Sequence, residues 1–387
     1  MNLQQLAQQY KYSNISGRYV TNLQLEPFLE TLSPSFKIDV IGKSVESKPI
    51  YSVAFGTGKK KILMWSQMHG NESTTTKGLI DFLHFLNTNT VLSSTFLNEF
   101  SVLCIPILNP DGAERYTRIN ANLVDLNRDA KDITQPESKI LRQVYLEFKP
   151  DFCFNLHDQR TIFGTEGKDL PATMSFLAPA YNEEREYNDS RLKAVHVINE
   201  INEHLQNFIP NQVGRFDDSF NDNCIGDYLM TQNTPTLLFE AGHYQNDYQR
   251  DVVREFVFVS LYSAMLGVHE SYENDIVNNV LDKYLNIPQN KKYFFDFLYK
   301  NVNLFKDDIE KRITFAAQYE EVLEGGEIKF IAKIEAVELS SEYKGHVEYD
   351  AENKKFNSEF GDYPLISKKA DFSLNKMLNF YNGLQLF

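Results

Sequence analysis

The chain has 387 residues, of which 42% are hydrophobic and 24% are charged. This balance is typical of a globular protein large enough for two domains, or for one large domain with an appendage. The 39 basic and 53 acidic side chains give a formal net charge of −14, which opposes binding to the phosphate backbone of a nucleic acid. We therefore expect no nucleic-acid partner.

The cysteines and the N-terminus indicate an expected location. Cys104, Cys153 and Cys224 have no disulfide or metal-site spacing, which favours a reducing compartment. Residues 1–20 are polar and lack the apolar core of a signal peptide. No run reaches the roughly 18 apolar residues that a membrane span requires. For a chain that begins at its natural N-terminus, these features predict a cytoplasmic protein with no membrane partner.

Hydrophobic periodicity predicts alternating strands and helices in the first 270 residues. Helices are expected at 22–32, around 79–86, and at 136–145, 191–208 and 252–266, and strands at 36–41, 49–55, 61–65, 100–108, 151–156 and 236–239. Several of these strands are continuous apolar runs of the kind buried in parallel sheets. We therefore predict an α/β fold with a mixed, largely parallel central sheet flanked by helices.

The pattern changes near residue 270, and we expect a second, smaller region at 271–387 with helical and β structure and no assigned role. Residues 275–305 are predicted to be helical, with aromatic side chains that pack in a core. The run 328–337 alternates apolar and polar residues after Gly325 and Gly326, which predicts a β-hairpin. Its partner, 313–323, fits either a strand or a helix.

Polar side chains follow four of the predicted strands. His69, Asn109, His157 and Glu240 each stand at or just after the end of an apolar run. Because ligands of α/β sheets bind at the carboxyl ends of the strands, we expect these residues to share one site.

His69 and Glu72 have a spacing that allows both to bind one metal ion, although this pair alone is a weak signal. A catalytic zinc requires about three protein ligands and an open position, and His157 is the third candidate. The alternative for His157 is a hydrogen-bonded core histidine. The run 117–129 strengthens the metal interpretation, because it is dense in Arg, Asn and Asp between two buried strands.

The order of these motifs resembles the M14 zinc metallocarboxypeptidases, and in particular a bacterial branch without a propeptide. The resemblance rests on His69-x-x-Glu72, Asn-Pro-Asp-Gly at 109–112, Thr-Arg-x-Asn-Ala-Asn-x-Val-Asp-Leu-Asn-Arg-Asp at 117–129, His157 and Glu240. It spans roughly residues 15–268. It implies that residues 1–270 form a zinc carboxypeptidase-like catalytic domain.

The resemblance also implies a role for each matching residue. His69, Glu72 and His157 would bind one Zn²⁺ ion, and Asp125 would orient the imidazole of His69. Glu240 would act as the general base toward the metal-activated water, and Arg118 would stabilise the oxyanion. Asn127 and Arg128 would bind the terminal carboxylate of the substrate. We expect Arg118→Ala to reduce activity severely without unfolding the protein.

Two departures from the family pattern concern substrate recognition. The stretch 214–221 has no tyrosine where relatives have one that closes over the substrate, and neither Tyr228 nor Tyr244 has a convincing spacing. Leu123 stands where relatives often have glycine, which affects a turn. His243, three residues after Glu240, is a candidate for lining the cleft.

Three functions remain open at this level. The first is a zinc hydrolase that cleaves the C-terminal amide bond of peptides or muropeptides with a free carboxylate. The second is a zinc deacylase of N-acyl amino acids, of the aspartoacylase or succinylglutamate desuccinylase type. The third is a non-catalytic binding protein on the same scaffold, which the presence of Glu240 and all three ligands disfavours.

Overall fold

The computed structural model describes residues 2–88, 90–273, 279–306 and 309–386. The chain divides into a larger unit, Met1–Gln159 with Thr165–Asn290, and a smaller unit, Arg160–Gly164 with Lys291–Phe387. That 1–270 and 271–387 form separate domains stays a prediction. No helix among the described residues combines the length and the apolar character needed to cross a membrane.

The helices follow one another as α1 (Leu3–Gln9), α2 (Asn22–Leu29), α3 (Thr74–Asn87), α4 (Val91–Glu99), α5 (Pro110–Arg115), α6 (Pro136–Phe148), α7 (Asp189–Leu205), α8 (Ile225–Thr231), α9 (Val253–Glu273) and α10 (Val280–Leu285), with a 3₁₀ turn at Leu126–Arg128. The strands up to residue 292 are β1 (Lys37–Lys43), β2 (Pro49–Phe55), β3 (Lys60–Ser66), β4 (Phe100–Ile105), β5 (Phe152–Asp158), β6 (Phe163–Thr165), β7 (Leu170–Pro171), β8 (Met174–Leu177), β9 (Val213–Arg215), β10 (Thr236–Ala241) and β11 (Asn290–Lys292).

An eight-stranded sheet in the order β1-β2-β4-β3-β5-β10-β8-β9 forms the centre of the larger unit. The four neighbours β4, β3, β5 and β10 are mutually parallel, whereas β1, β2 and β8 join through antiparallel pairs. The predicted mixed α/β sheet is therefore confirmed. Since parallel strands carry their carboxyl ends to one edge, the loops after these four strands meet there.

Side chains of β3 alternate between two apolar layers, as expected for a strand buried on both faces. Ile62 and Met64 belong to the layer that contains the apolar faces of α3, α7 and α9. Leu63 and Trp65 point into the opposite layer, with residues of α6 and α8. The sheet thus lies between helices on both sides, and its loops are supported by a rigid core.

The smaller unit is largely β-structure and has its own apolar core. Its strands are β12 (Phe294–Lys306), β13 (Ile309–Glu324), β14 (Glu327–Val337), β15 (Lys344–Asp350), β16 (Phe356–Asn357), β17 (Phe372–Leu374), β18 (Leu378–Tyr381) and β19 (Leu384–Gln385). They form two four-stranded sheets, β14-β13-β12-β15 and β16-β17-β18-β19.

The helix predicted at 275–305 is wrong for most of its length. Only Val280–Leu285 is helical in that stretch, and β12 begins at Phe294 (275–278 lie outside the described residues). Phe297 and Tyr299 both belong to the apolar core of the smaller unit, as expected for alternate residues that share one face of a strand. The hairpin prediction is confirmed, since β13 and β14 pair antiparallel around Gly325 and Gly326.

Candidate metal centre and catalytic site

The sequence-predicted site residues meet at the carboxyl edge of the parallel strands. His157 lies in β5 and pairs directly with Glu240 in β10. His69 lies in the turn that follows β3, and Glu72 lies just before α3. The sheet therefore brings together side chains that are more than 150 positions apart in the chain, such as His69 and Glu240.

A close approach of two backbone turns fixes the loop that carries His69. A Cβ atom on Gly70 would lie 1.9 Å from the carbonyl carbon of Gly112, so only glycine fits at position 70. Gly112 belongs to the predicted Asn-Pro-Asp-Gly turn, in which the side chain of Asn109 accepts a hydrogen bond from Gly112 N at 2.9 Å. The amide of Asn109 also donates to Met68 O at 3.2 Å. The loops after β3 and β4 thus hold each other in place.

Three candidate ligands converge on one point. His69 Nδ1 lies 2.8 Å from Glu72 Oε1, and His157 Nδ1 lies 2.8 Å from Glu72 Oε2. The two Nδ1 atoms are 3.1 Å apart. All three ligand atoms lie within 4.8 Å of one another. Two histidines and one carboxylate are a typical ligand set for a catalytic zinc.

The donor chemistry of this cluster fits a cation. The Nδ1 atoms of His69 and His157 are 3.1 Å apart, so their lone pairs face each other unless one nitrogen carries a proton. The carboxylate of Glu72 adds negative charge next to both nitrogens. A metal ion held by these three side chains satisfies all of these lone pairs at once. His69, Glu72 and His157 are therefore the residues that would hold zinc.

The charges within the cluster shift the pKa values of its members. Burial raises the pKa of Glu72, but the neighbouring His69 and His157 outweigh this effect and bring the pKa well below its usual value. Burial lowers the pKa of His69, yet the carboxylates of Glu72 and Asp125 bring it above the ordinary value. Burial dominates at His157 and lowers its pKa. A neutral His157 beside an ionised Glu72 is the form that binds a cation.

Asp125 contacts the candidate ligand His69, and Arg118 contacts the candidate ligand Glu72. His69 Nε2 lies 2.9 Å from Asp125 Oδ1, so the carboxylate fixes the ring with its Nδ1 toward Glu72. Arg118 donates from Nη1 to Glu72 Oε1 at 3.2 Å and from Nε to Asp125 Oδ2 at 3.1 Å. The side chain of Arg118 is nevertheless half exposed, so it also contacts solvent.

Asn127 and Arg128 lie on the 3₁₀ turn that begins after Asp125. Asn127 N donates to Asp125 Oδ1 at 2.9 Å, and the side-chain oxygen of Asn127 accepts from Ile225 N, at the start of α8, at 3.2 Å. Arg128 is exposed and donates from Nη1 to Asn127 O at 2.7 Å. The turn thus presents a guanidinium to solvent close to the metal cluster. Carboxylate binding by these two residues stays a prediction.

The carboxylate of Glu240 is partly buried at the end of β10. Its Oε2 is buried and makes no hydrogen bond among the described residues. Burial raises the pKa of Glu240 well above its usual value, and the negative charges of Glu72 and Asp158 raise it further, against the opposing effect of Arg118 and Arg250. A carboxyl group in such an environment holds a proton more tightly than an exposed carboxyl group, which suits a residue that accepts a proton during a reaction.

A ring of three side chains next to Glu240 was not predicted. Asn290 Nδ2 donates to Gln159 Oε1 at 2.7 Å, Gln159 Nε2 donates to Ser175 Oγ at 3.0 Å, and Ser175 Oγ donates to Asn290 Oδ1 at 2.9 Å. Ser175 pairs with Glu240 across β8 and β10. Single polar residues in unrelated segments carry no sequence signal, so only the fold could show this ring.

Arg250 is a second structural residue that sequence reasoning missed. It is buried and donates from Nη1 to Ala241 O at 2.9 Å and from Nη2 to Gln159 O at 3.0 Å. It therefore ties the chain just after Glu240 to the chain just after β5. The sequence shows only that Arg250 follows Glu240 by ten residues, and this spacing does not distinguish a buried arginine from a surface arginine.

The tyrosines considered for the substrate lid pack elsewhere. The ring of Tyr228 stacks on the guanidinium of Arg142 at 3.9 Å, and Tyr244 packs against Phe256 with ring centroids 5.8 Å apart. His243 is buried, with its ring 4.8 Å from that of Tyr248.

The loop 216–224, which lacks the tyrosine, is held by polar contacts. Asp218 accepts from the fully buried Arg191 at 2.6 Å, and Asn221 N donates to Asp227 Oδ2 at 3.1 Å. At the other end of the loop, Ala130 N donates to Asn223 O at 3.2 Å. The loop is therefore joined to the segment that follows Arg128.

Parts of the sequence are similar to known zinc carboxypeptidases. Residues 25–158 match the Peptidase_M14 family, described as zinc carboxypeptidase. Carboxypeptidase 2 of Trichophyton rubrum is 26% identical over 101 residues, which cover 26% of this chain and 19% of that protein. The probable carboxypeptidase 2 of Trichophyton verrucosum matches 20% of its own length at the same identity. The match thus spans about a fifth of these curated relatives.

Solved structures extend the similarity to the fold of the larger part of the chain. A metallo-carboxypeptidase from Burkholderia cenocepacia superposes with a TM-score of 0.53 at 16% identity, over 65% of this chain and 70% of that one. Carboxypeptidase A from Helicoverpa armigera gives 0.52 at 17% identity, over 70% and 80%. The fold is that of the metallocarboxypeptidases. With the family match at 25–158, this shared fold confirms the predicted resemblance to the M14 zinc carboxypeptidases.

Proposed function

We propose that this protein is a zinc-dependent carboxypeptidase that hydrolyses the C-terminal amide bond of peptides or muropeptides with a free carboxylate. The observation that carries the proposal is the convergence of His69, Glu72 and His157 beside Glu240, whose buried Oε2 has no hydrogen-bond partner among the described residues. The cytoplasmic location expected from the sequence stays a prediction.

A zinc ion held by His69, Glu72 and His157 would supply a Lewis acid and lower the pKa of a coordinated water. Glu240 accepts a proton from the attacking water and delivers it to the leaving amine. The raised pKa of Glu240 makes it a stronger proton acceptor in the first of these steps. Burial of Oε2 excludes bulk water from this proton position.

Arg118 and the turn at Asn127 and Arg128 bind the substrate. Arg118 already neutralises Glu72 and Asp125, and its half-exposed guanidinium can donate to an oxyanion that forms over the cluster. The exposed guanidinium of Arg128 offers a bidentate match to a terminal carboxylate. Asn127, fixed by Asp125 and α8, holds this turn in position.

A hydrolysis screen with zinc-loaded protein tests the proposal. Peptides with free and amidated C-termini, muropeptides and N-acyl amino acids are compared by mass spectrometry, with and without a chelator. We expect release of single C-terminal residues from free peptides or muropeptides, and loss of this release after chelation. Cleavage confined to N-acyl amino acids would favour the deacylase, and activity that survives chelation would refute the zinc mechanism.

Glu240→Gln tests the proton-transfer role. We expect kcat to fall by about 10²–10⁴ because the amide cannot accept the proton, while zinc affinity remains within a few-fold of wild type. Glu200→Gln, a half-buried carboxylate of α7 whose pKa is also raised by burial, is the matched control and should leave kcat unchanged. Wild-type kcat in Glu240→Gln would contradict the role.

A further inference from the structure

Asp158 joins the two chain segments that carry the metal ligands. It follows His157 directly at the end of β5, and its own N–H donates to Glu72 Oε2 at 3.1 Å. That oxygen also lies 2.8 Å from His157 Nδ1. One peptide unit therefore carries the His157 ligand and holds the orientation of the Glu72 ligand.

The carboxylate of Asp158 contacts the start of α3. Its Oδ2 accepts from Thr74 N at 2.7 Å, and its Oδ1 accepts from Thr75 N at 3.1 Å and from Thr75 Oγ1 at 3.3 Å. Thr74 is only two residues after Glu72. The peptide N–H of Asp158 thus holds the side chain of Glu72, and the carboxylate of Asp158 fixes the backbone that follows Glu72.

Helix α3 lacks a cap of its own. Its N-cap residue, Ser73, makes no capping hydrogen bond, because its hydroxyl donates instead to Arg18 O at 2.5 Å. The first N–H groups of a helix need acceptors, and a carboxylate there also interacts favourably with the helix dipole. Asp158, 84 positions away from Thr74, supplies these acceptors from another segment of the chain.

From this arrangement we propose that Asp158 is a positioning residue for the metal centre: it caps α3 in place of Ser73 and thereby sets the distance between Glu72 and His157. The proposal rests on the proposed function, since it assumes that these side chains bind zinc. Removal of the carboxylate frees the turn 69–73 to move relative to β5, so that the ligand set is no longer arranged before the ion binds. Loss of an outer hydrogen-bond partner of a metal ligand typically weakens metal affinity by about 10–100-fold.

Zinc affinity, measured by competition with a chelating dye, tests the proposal in Asp158→Ala and Asp158→Asn. We expect Kd for zinc to rise about 10–100-fold in Asp158→Ala, with a smaller rise in Asp158→Asn, whose amide oxygen can still accept one N–H. The visible spectrum of the cobalt-substituted protein should also change in Asp158→Ala, because the ligand geometry is altered.

Asn188→Ala is the matched control, because the Asn188 side chain caps α7 by accepting from Arg191 N at 2.9 Å, away from the metal ligands in the chain. It should lower the melting temperature of the metal-free protein but leave zinc affinity and the cobalt spectrum unchanged. Equal zinc affinity in wild type and Asp158→Ala would overturn the positioning role. Failure of the wild-type protein itself to bind zinc would instead overturn the proposed function.

Discussion

At the scale of single residues, Arg118 combines contacts that the structure shows with a proposed role in the reaction. It pairs with Glu72 and Asp125, and its half-exposed side chain remains accessible to solvent. We expect Arg118→Ala to lower kcat by about 10²–10³, as loss of one oxyanion donor does in comparable hydrolases. Steady-state kinetics measure the loss of kcat, and a melting curve measures any change in stability.

Arg115→Ala is the matched control for Arg118→Ala. Its side chain is exposed to the same extent, 47%, but it pairs with Glu46 at the surface. Surface pairs of this kind contribute little to stability, so both kinetics and melting should stay close to wild type. If Arg118→Ala has kinetics like those of Arg115→Ala, Arg118 does not act in the reaction.

Asp227 gives the stability of the protein a specific pH dependence. Burial raises the pKa of its carboxyl from 3.8 to about 7, against the opposing effects of Asn221 N–H and the arginines Arg191 and Arg128. The folded state therefore holds this proton more tightly than the unfolded state. Its contribution to stability is fully present below pH 3.8 and is lost as the pH rises to about 7.

Asp227→Asn removes this titration. The free energy of unfolding of the variant minus that of wild type should rise between about pH 4 and pH 7 and then remain level, because Asn stays neutral throughout. Urea denaturation at a series of pH values measures this difference. A difference that does not change over this range would show that the carboxyl is not perturbed by folding.

At the scale of elements, the turn at 120–124 carries an avoidable strain. Leu123 has φ of 61°, in the left-handed region, and its side chain is 77% exposed. Leu123→Gly relieves a penalty of roughly 1–2 kcal/mol and loses about 0.5–1 kcal/mol of backbone entropy. We expect a net stabilisation of up to about 1.5 kcal/mol, seen as a higher midpoint in denaturant.

Leu146→Gly is the control for Leu123→Gly. Leu146 is also an exposed leucine, but it lies in α6, where glycine costs about 1 kcal/mol relative to a helix-forming residue. The two substitutions should therefore shift stability in opposite directions. A loss of stability in both would mean that position 123 does not require the left-handed conformation.

Helices and strands were predictable from the sequence where the apolar residues followed one clear pattern, either helical spacing or a continuous or alternating strand pattern. The runs 49–55 and 61–65 became β2 and β3 because β-branched and apolar residues there are buried on both faces. The helix predicted at 275–305 was wrong where β12 forms, because an irregularity between Tyr299 and Val302 shifts the pairing of β12 with β13 and breaks the alternation of apolar and polar residues.

The proximity of candidate site residues was predictable where they stood at the ends of such strands. His69, His157 and Glu240 follow apolar runs, so their proximity followed from the parallel arrangement. The contact of Asp158 with Thr74 and the ring of Gln159, Ser175 and Asn290 join residues from separate segments. Hydrogen bonds between distant single residues leave no local pattern, and only the folded chain shows them.

At the scale of the whole molecule, zinc should stabilise the protein through its larger unit. An ion that binds only the folded state at 1,000 times its Kd adds about 4 kcal/mol to the free energy of unfolding. We expect the melting temperature to fall after chelation and to recover with added zinc. His157→Ala should abolish this response, whereas His204→Ala, on α7, should retain it. A wild-type protein insensitive to chelation would contradict a metal centre in the folded state.

The smaller unit is built from two separated segments of the chain, Arg160–Gly164 and Lys291–Phe387, and the ribosome synthesises the first long before the second. Thr161 accepts a hydrogen bond from Gln318 at its hydroxyl and contacts His346 through its carbonyl, across 157 and 185 positions. A ribosome adds about 5–20 residues per second, so these partners emerge roughly 8–40 s after Thr161. During synthesis, residues 160–164 therefore lack Gln318 and His346 for this time, although β5 before them and β7 and β8 after them are already synthesised.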